Sequence, residues 1–147
     1  MSKLAFQSMN AASSIGSLEL RILFVEDDAM NRRVVRDMLS VAGLDLAEAP
    51  EAETGLRMIE NNDYDLILMD LRMPGMDGLT AIRAIRARDD AKANLPIVVV
   101  TADMASDIRH QCLTAGADDV MMKPVAMENL FDTIGRAISE RGGQTLI

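Results

Sequence analysis

Leu66-Ile67-Leu68-Met69-Asp70-Leu71-Arg72-Met73-Pro74-Gly75-Met76-Asp77-Gly78-Leu79 decides how this chain is read. The opening apolar run is short and fits a strand covered on both faces. It stops at an acid, Asp70. Met73 to Gly78 has strong turn chemistry, and Asp77 can cap the helix that follows. Leu79, Ile82 and Ile85 then recur at helical spacing, with Arg83, Arg86 and Arg88 on the outer, solvated face.

The same strand-turn-helix unit recurs on either side. Toward the N-terminus, Arg21 to Glu26 is a short strand ending in acid. Asp28 can cap a helix in which Val34, Val35, Met38, Leu39 and Ala42 recur at helical spacing, and Gly43 stops it. Leu44 to Ala49 is a weaker, edge-side strand. Pro50 opens a second helix with Leu56 and Ile59 facing inward. Toward the C-terminus, Pro96 precedes the β-branched strand Ile97 to Val100, which ends at Thr101. A helix runs from about Ser106 to Ala115 and is stopped by Gly116. Val120 to Met122 is a short strand leading to Lys123-Pro124. A last helix carries Leu130, Phe131, Ile134 and Ile138 on one face and ends at Gly142-Gly143.

Five strand-helix units in strict alternation predict parallel strands with right-handed crossovers and helices on both faces. Five are too few to close an eight-fold barrel. The expected fold is therefore α/β, a flavodoxin-like doubly wound five-stranded sheet in order 2-1-3-4-5 with five helices. Residues 1–18 read as a flexible lead-in or a short extra helix, 19–141 as one domain, and 142–147 as a tail.

Bulk properties narrow the function. The 147 residues suit a single domain. A net charge of −8 argues against sequence-independent binding to nucleic acid. Trp is absent and Tyr occurs once, which leaves few platforms for stacking bases. The single cysteine, Cys112, rules out an intrachain disulfide and suits a reducing compartment. With no leader and no membrane-length apolar run, a cytoplasmic location is expected. The 12 methionines read as adaptable packing.

Ligands of open parallel sheets bind beyond the carboxyl ends of the strands, at the switch point. In order 2-1-3-4-5 that point lies between strands 1 and 3, whose ends are Glu26 and Asp27 on one and Asp70 on the other. Two like charges about 4 Å apart repel by roughly 4 kcal/mol at an effective dielectric near 20. Such a cluster must protonate, splay apart or take a cation, and oxygen-only ligands with waters and a phosphate suit Mg²⁺. Strands 4 and 5 end in Thr101 and Lys123. A hydroxyl and an ammonium beside acids and a metal match a transferring phosphoryl group, with the carboxylate as attacking group.

Val25-Glu26-Asp27-Asp28, Asp65 to Gly78, Val100-Thr101-Ala102, Gly116-Ala117-Asp118-Asp119 and Lys123-Pro124, as an ordered set, resemble the receiver domains of bacterial two-component response regulators. The resemblance is chemotaxis-regulator-like and covers roughly residues 20–141. It implies Asp70 as phosphoacceptor and Asp27 as direct metal ligand. Glu26 would act on the metal mostly through water, and the Arg72 backbone carbonyl would supply another oxygen. Thr101 and Lys123 would bind phosphoryl oxygens, and Lys123-Pro124 would be cis. Implied partners are a histidine kinase or histidine phosphotransfer protein and a downstream effector. A homodimer through helix 4, strand 5 and helix 5 is the family's usual option. The wording from Thr101 to Lys123 is similar to hybrid-kinase receivers. Such a domain is a signalling switch rather than a turnover enzyme. Nothing resembling a DNA-binding domain follows Arg141, so no direct nucleic-acid contact is expected.

The chain departs from the family at Val120, where an aromatic residue is usual. At the output switch of Thr101, Ala102 and Val120, either the family's ring rotation is lost and the usual switch with it, or Val120 is an ordinary strand residue and coupling runs through backbone shifts of the strand 4–helix 4 loop. Arg72 and Asp103 are expected to pair across the mouth of the site and slow loss of the phosphoryl group. His110 reads as a surface residue and Cys112 as inert. A dehalogenase-type phosphatase fits poorly, because Asp70-Leu71-Arg72 lacks that family's second acid. A flavin mononucleotide binder fits poorly too, since Glu26-Asp27-Asp28 would repel the phosphate.

Overall fold

The computed structural model describes residues 19–142. The expected lead-in and all of the tail beyond Gly142 lie outside the described residues. Five parallel strands form one sheet in the order β2-β1-β3-β4-β5. They are β1 (Ile22–Val25), β2 (Leu46–Ala49), β3 (Leu66–Met69), β4 (Ile97–Thr101) and β5 (Asp119–Met122). The helices are α1 (Ala29–Val41), α2 (Ala52–Asn61), α3 (Gly78–Arg86), α4 (Ile108–Ala115) and α5 (Met127–Gly142). A short 3₁₀ turn, Ala91–Asn94, joins α3 to β4. It was not anticipated from the sequence.

The period-2 pleat divides the core into two layers. Phe24, Leu68, Val98 and Val100 pack with Val35 and Leu39 of α1 and with Leu130, Phe131, Ile134 and Ile138 of α5. Leu23, Val25, Ile67, Met69 and Val99 face the other way, onto Ile59 of α2, Ile82 and Ile85 of α3, and Cys112 of α4. All four residues of β1 and of β3 are buried, as expected for strands covered on both sides. The sheet brings β1 and β3 side by side in register, Val25 opposite Met69. Their next residues, Glu26 and Asp70, therefore emerge together.

The helix starts follow the predicted caps. The Asp28 carboxylate accepts the N–H groups of Met30 and Asn31, and that of Asp77 accepts the N–H of Thr80. Gly116 caps α4 in the left-handed region, φ 119°. Element bounds moved slightly. Strands β1 and β2 are shorter than expected, α4 begins at Ile108 after a turn, and α2 begins after Glu51.

Two expectations need correction. Val34 is exposed, although its spacing placed it with the inward residues of α1. Arg86 does not lie on a solvated face. Its guanidinium is half-buried and donates to the carbonyls of Ala93, Leu95 and Gly116 (2.6–2.8 Å) and to Asp118 Oδ2 at 3.1 Å. Asp118 also accepts from Arg141 Nε and from the Ile97 N–H. Helical period puts Arg86 beyond the apolar stripe, but its long stem crosses the C-terminus of α4 and ties that end to the 3₁₀ turn and to the entry of β5.

Candidate functional site

The site is built from the turns that leave β1, β3, β4 and β5. Asp70 follows β3 directly, and its N–H donates to the Val25 carbonyl at 3.0 Å. It is 4% exposed. Gly78 sets the loop beyond it: a Cβ there would stand 2.1 Å from the Asp70 carbonyl oxygen, so only glycine lets α3 start this close to Asp70. The Gly78 N–H also donates to the Leu71 carbonyl, closing the loop onto its own base.

Glu26, Asp27 and Asp70 bring carboxylate oxygens within 4.8 Å of one another. Glu26 is 1% exposed and fully engaged. Its Oε1 accepts the Asp28 N–H at 3.2 Å and Asn31 Nδ2 at 3.4 Å, and its Oε2 accepts Lys123 Nζ at 2.9 Å. Lys123 Nζ also reaches Asp70 Oδ1 at 3.4 Å, and the Leu71 N–H donates to that same oxygen at 2.9 Å. Asp27 is exposed. Burial, reinforced by the negative charge of Glu26, pushes the Asp70 carboxyl up to about 6 despite Lys123. Burial alone would lower the Lys123 ammonium, but its bond to Glu26 and the charge of Asp70 hold it above the usual lysine range. One ammonium shared by two buried acids leaves a surplus of negative charge. An oxygen-only set of this kind fits a hard divalent cation.

Thr101 ends β4 and is buried. Its Oγ1 accepts the Asp103 N–H at 3.0 Å, and its carbonyl accepts the Lys123 N–H at 2.8 Å. Among the described residues the hydroxyl donates no hydrogen bond, and the backbone links Thr101 to Lys123. The Lys123-Pro124 peptide is cis, as the sequence resemblance implied. Arg72 Nη2 pairs with Asp103 Oδ2 at 2.8 Å, as expected. The Ala105 N–H and then Arg72 hold the Asp103 carboxyl below its ordinary value. Ala102 is exposed. Val120 is half-buried and lines an open groove of about 330 Å³ with Met104, Ile108, Arg109 and Met122.

His110 is exposed, as expected. Cys112 is fully buried against the sheet. Burial, followed by the charge of Asp103, raises its thiol, so it is a poor nucleophile. Two residues near the acids were missed from sequence, Asn31 and Arg32. Arg32 Nη1 donates to the Glu26 carbonyl at 2.7 Å. The available signal was an amide and a guanidinium within the first helical turn after the acids.

No helix among the described residues is long and apolar enough to cross a membrane. The family model described as the response regulator receiver domain matches residues 22–135. Hybrid signal transduction histidine kinase G of Dictyostelium discoideum is 38% identical over 120 residues, 80% of this chain and 4% of the kinase. The cell cycle transcriptional regulator CtrA of Caulobacter vibrioides is 31% identical over 124 residues, 84% of this chain and 52% of that protein. The chain thus spans only part of these relatives. Among solved structures, the receiver domain of sensor histidine kinase PA1611 from Pseudomonas aeruginosa, with a magnesium ion coordinated in its active site cleft, aligns with TM-score 0.74 and 36% identity. The alignment covers 82% of this chain and 98% of that one. The sheet order, the acids just beyond β1 and β3 and these matches agree: the chain belongs to the response regulator receiver domain family.

Proposed function

We propose that this domain takes a phosphoryl group onto Asp70 from a phosphohistidine donor, a histidine kinase or a histidine phosphotransfer protein. The carrying observation is the juxtaposition of Asp70 with Glu26, Asp27 and Lys123 beyond adjacent strands. An Asp70 oxygen attacks phosphorus, the P–N bond to the donor imidazole breaks, and the imidazole keeps the electron pair and takes a proton. Lys123 and the Thr101 hydroxyl neutralise and hold phosphoryl oxygens as they spread their charge. Hydrolysis later returns the free carboxylate and releases inorganic phosphate, which resets the domain as a switch.

Asp27 and Asp70, with the Arg72 carbonyl, would hold Mg²⁺, and Glu26 would act on it through water. When bound, the ion offsets the charge of the acids and of the incoming phosphoryl group. Output runs from Thr101 through the Asp103 N–H into the 102–107 loop, and from there to Ala102, Val120 and the effector surface of α4, β5 and α5, the face that would also serve a homodimer. A place for this domain within a hybrid kinase is the second reading, favoured by the 38% identical stretch of histidine kinase G. A cytoplasmic setting goes with either donor.

Beryllofluoride with Mg²⁺ mimics the acyl phosphate without turnover and tests the reading. Amide shifts at residues 70–72, 101–105 and 122–124 are expected in the wild type and absent in Asp70→Asn. Identical spectra with and without the mimic would contradict it.

A further inference from the structure

Glu26 and Asp70 are each fixed by hydrogen bonds to their carboxylates. Asp27 is not: among the described residues its side chain makes no hydrogen bond, and it is exposed. The placement of its backbone therefore limits where its carboxylate can reach. That backbone is held from two sides. The Glu26 N–H donates to the Ala49 carbonyl of β2 at 3.0 Å. The Glu26 carbonyl, the oxygen of the Glu26–Asp27 peptide, accepts Arg32 Nη1 at 2.7 Å.

Arg32 is itself anchored. Its Nε donates to Glu48 Oε1 at 3.2 Å, and the other Glu48 oxygen accepts Arg36 Nη1 at 2.8 Å. The Arg32 and Glu48 side chains are 17% and 24% exposed. A planar guanidinium with two donors engaged on two acceptors has little freedom left. It holds the Glu26–Asp27 peptide, from which an Asp27 oxygen comes within 4.8 Å of those of Glu26 and Asp70.

We propose that Arg32 is a positioning residue for the cation site, anchored from the edge strand by Glu48. This rests on the reading of the acidic crevice as the site of a divalent cation. The sign of the effect separates positioning from simple charge. Arg32 is cationic and repels a divalent ion through space, so if it acted only as a charge its removal would tighten binding. If it aims Asp27, its removal loosens binding.

The test uses Mn²⁺ as probe, followed by water-proton relaxation at neutral pH, with Mg²⁺ as competitor. Circular dichroism of the metal-free proteins checks that each variant is folded. Arg32→Gln is expected to bind Mn²⁺ about ten-fold more weakly than the wild type, the scale seen when a partner of a metal ligand is lost. Glu48→Gln is expected to weaken binding too, and to add little in the Arg32→Gln background, because Glu48 acts through Arg32. Equal or tighter binding by Arg32→Gln would overturn the proposal, as would additive losses in the double variant. If Arg32→Gln does not fold, Arg32→Lys serves: an ammonium cannot reproduce the two-acceptor fork, so weaker binding supports the proposal and unchanged binding overturns it. A wild-type protein that binds no Mn²⁺ would remove the cation site itself, and the proposal with it.

Discussion

Asp70 is the residue on which burial and charge pull hardest. Its carboxyl sits at about 6, raised first by burial and then by Glu26. An acid with a raised folded-state pKa binds its proton more tightly folded than unfolded. The stability this provides is fully present below the ordinary value near 4 and is lost as pH rises through 6. Above that window the ionised group costs the metal-free fold on the order of 3 kcal/mol. Asp70→Asn is therefore expected to raise the urea midpoint of metal-free protein at pH 7.5 and to change it little at pH 4. Equal shifts at both pH values would contradict this. Mg²⁺ should stabilise the wild type by mass action and leave Asp70→Asn largely unaffected. The Arg72–Asp103 pair belongs to the same scale. Arg72 is 79% exposed, so the pair adds little to stability. Its expected effect is on hydrolysis. Arg72→Ala and Asp103→Ala should each speed loss of the phosphoryl group, and the double variant should be no faster than either. Additive rates would refute the pairing role.

At the scale of elements, Arg86 carries the clearest prediction. It bonds three backbone carbonyls and Asp118 while half-buried. Arg86→Ala strands those groups and is expected to cost about 3–5 kcal/mol in urea unfolding. A loss below about 1 kcal/mol, the range of an exposed pair, would return Arg86 to the solvated face. The residue also marks where sequence reading runs out. The period of α3 identified Ile82 and Ile85 as inward correctly, because burial of short apolar side chains follows helical geometry. A long cationic side chain finds its partners in loops that only the tertiary fold brings near. The same holds for Arg32, whose carbonyl and Glu48 partners lie on different elements. By contrast, Leu66 to Met69 and the alternation around it were enough for a parallel sheet covered on both faces, since such strands must be apolar on both sides and joined by crossovers, and the order 2-1-3-4-5 followed from the flavodoxin-like arrangement. The acids at the strand ends were legible for the same reason: each directly follows a buried strand. Val34 was misplaced because α1 has an apolar stripe wider than its buried face, with Met30 and Val41 exposed as well.

At the scale of the whole molecule, the parts serve one crevice. Two apolar layers hold a parallel sheet whose switch point gathers three acids and one ammonium. The family match places the domain among response regulator receivers, and it is similar to part of a hybrid histidine kinase and part of a transcriptional regulator. Self-catalysed phosphorylation of Asp70, proposed above, is read by intact-mass measurement after incubation with acetyl phosphate. The wild type is expected to gain one phosphoryl group only with Mg²⁺, and Asp70→Asn to gain none. No gain under conditions that preserve acyl phosphates, or a gain that survives the substitution, would contradict it.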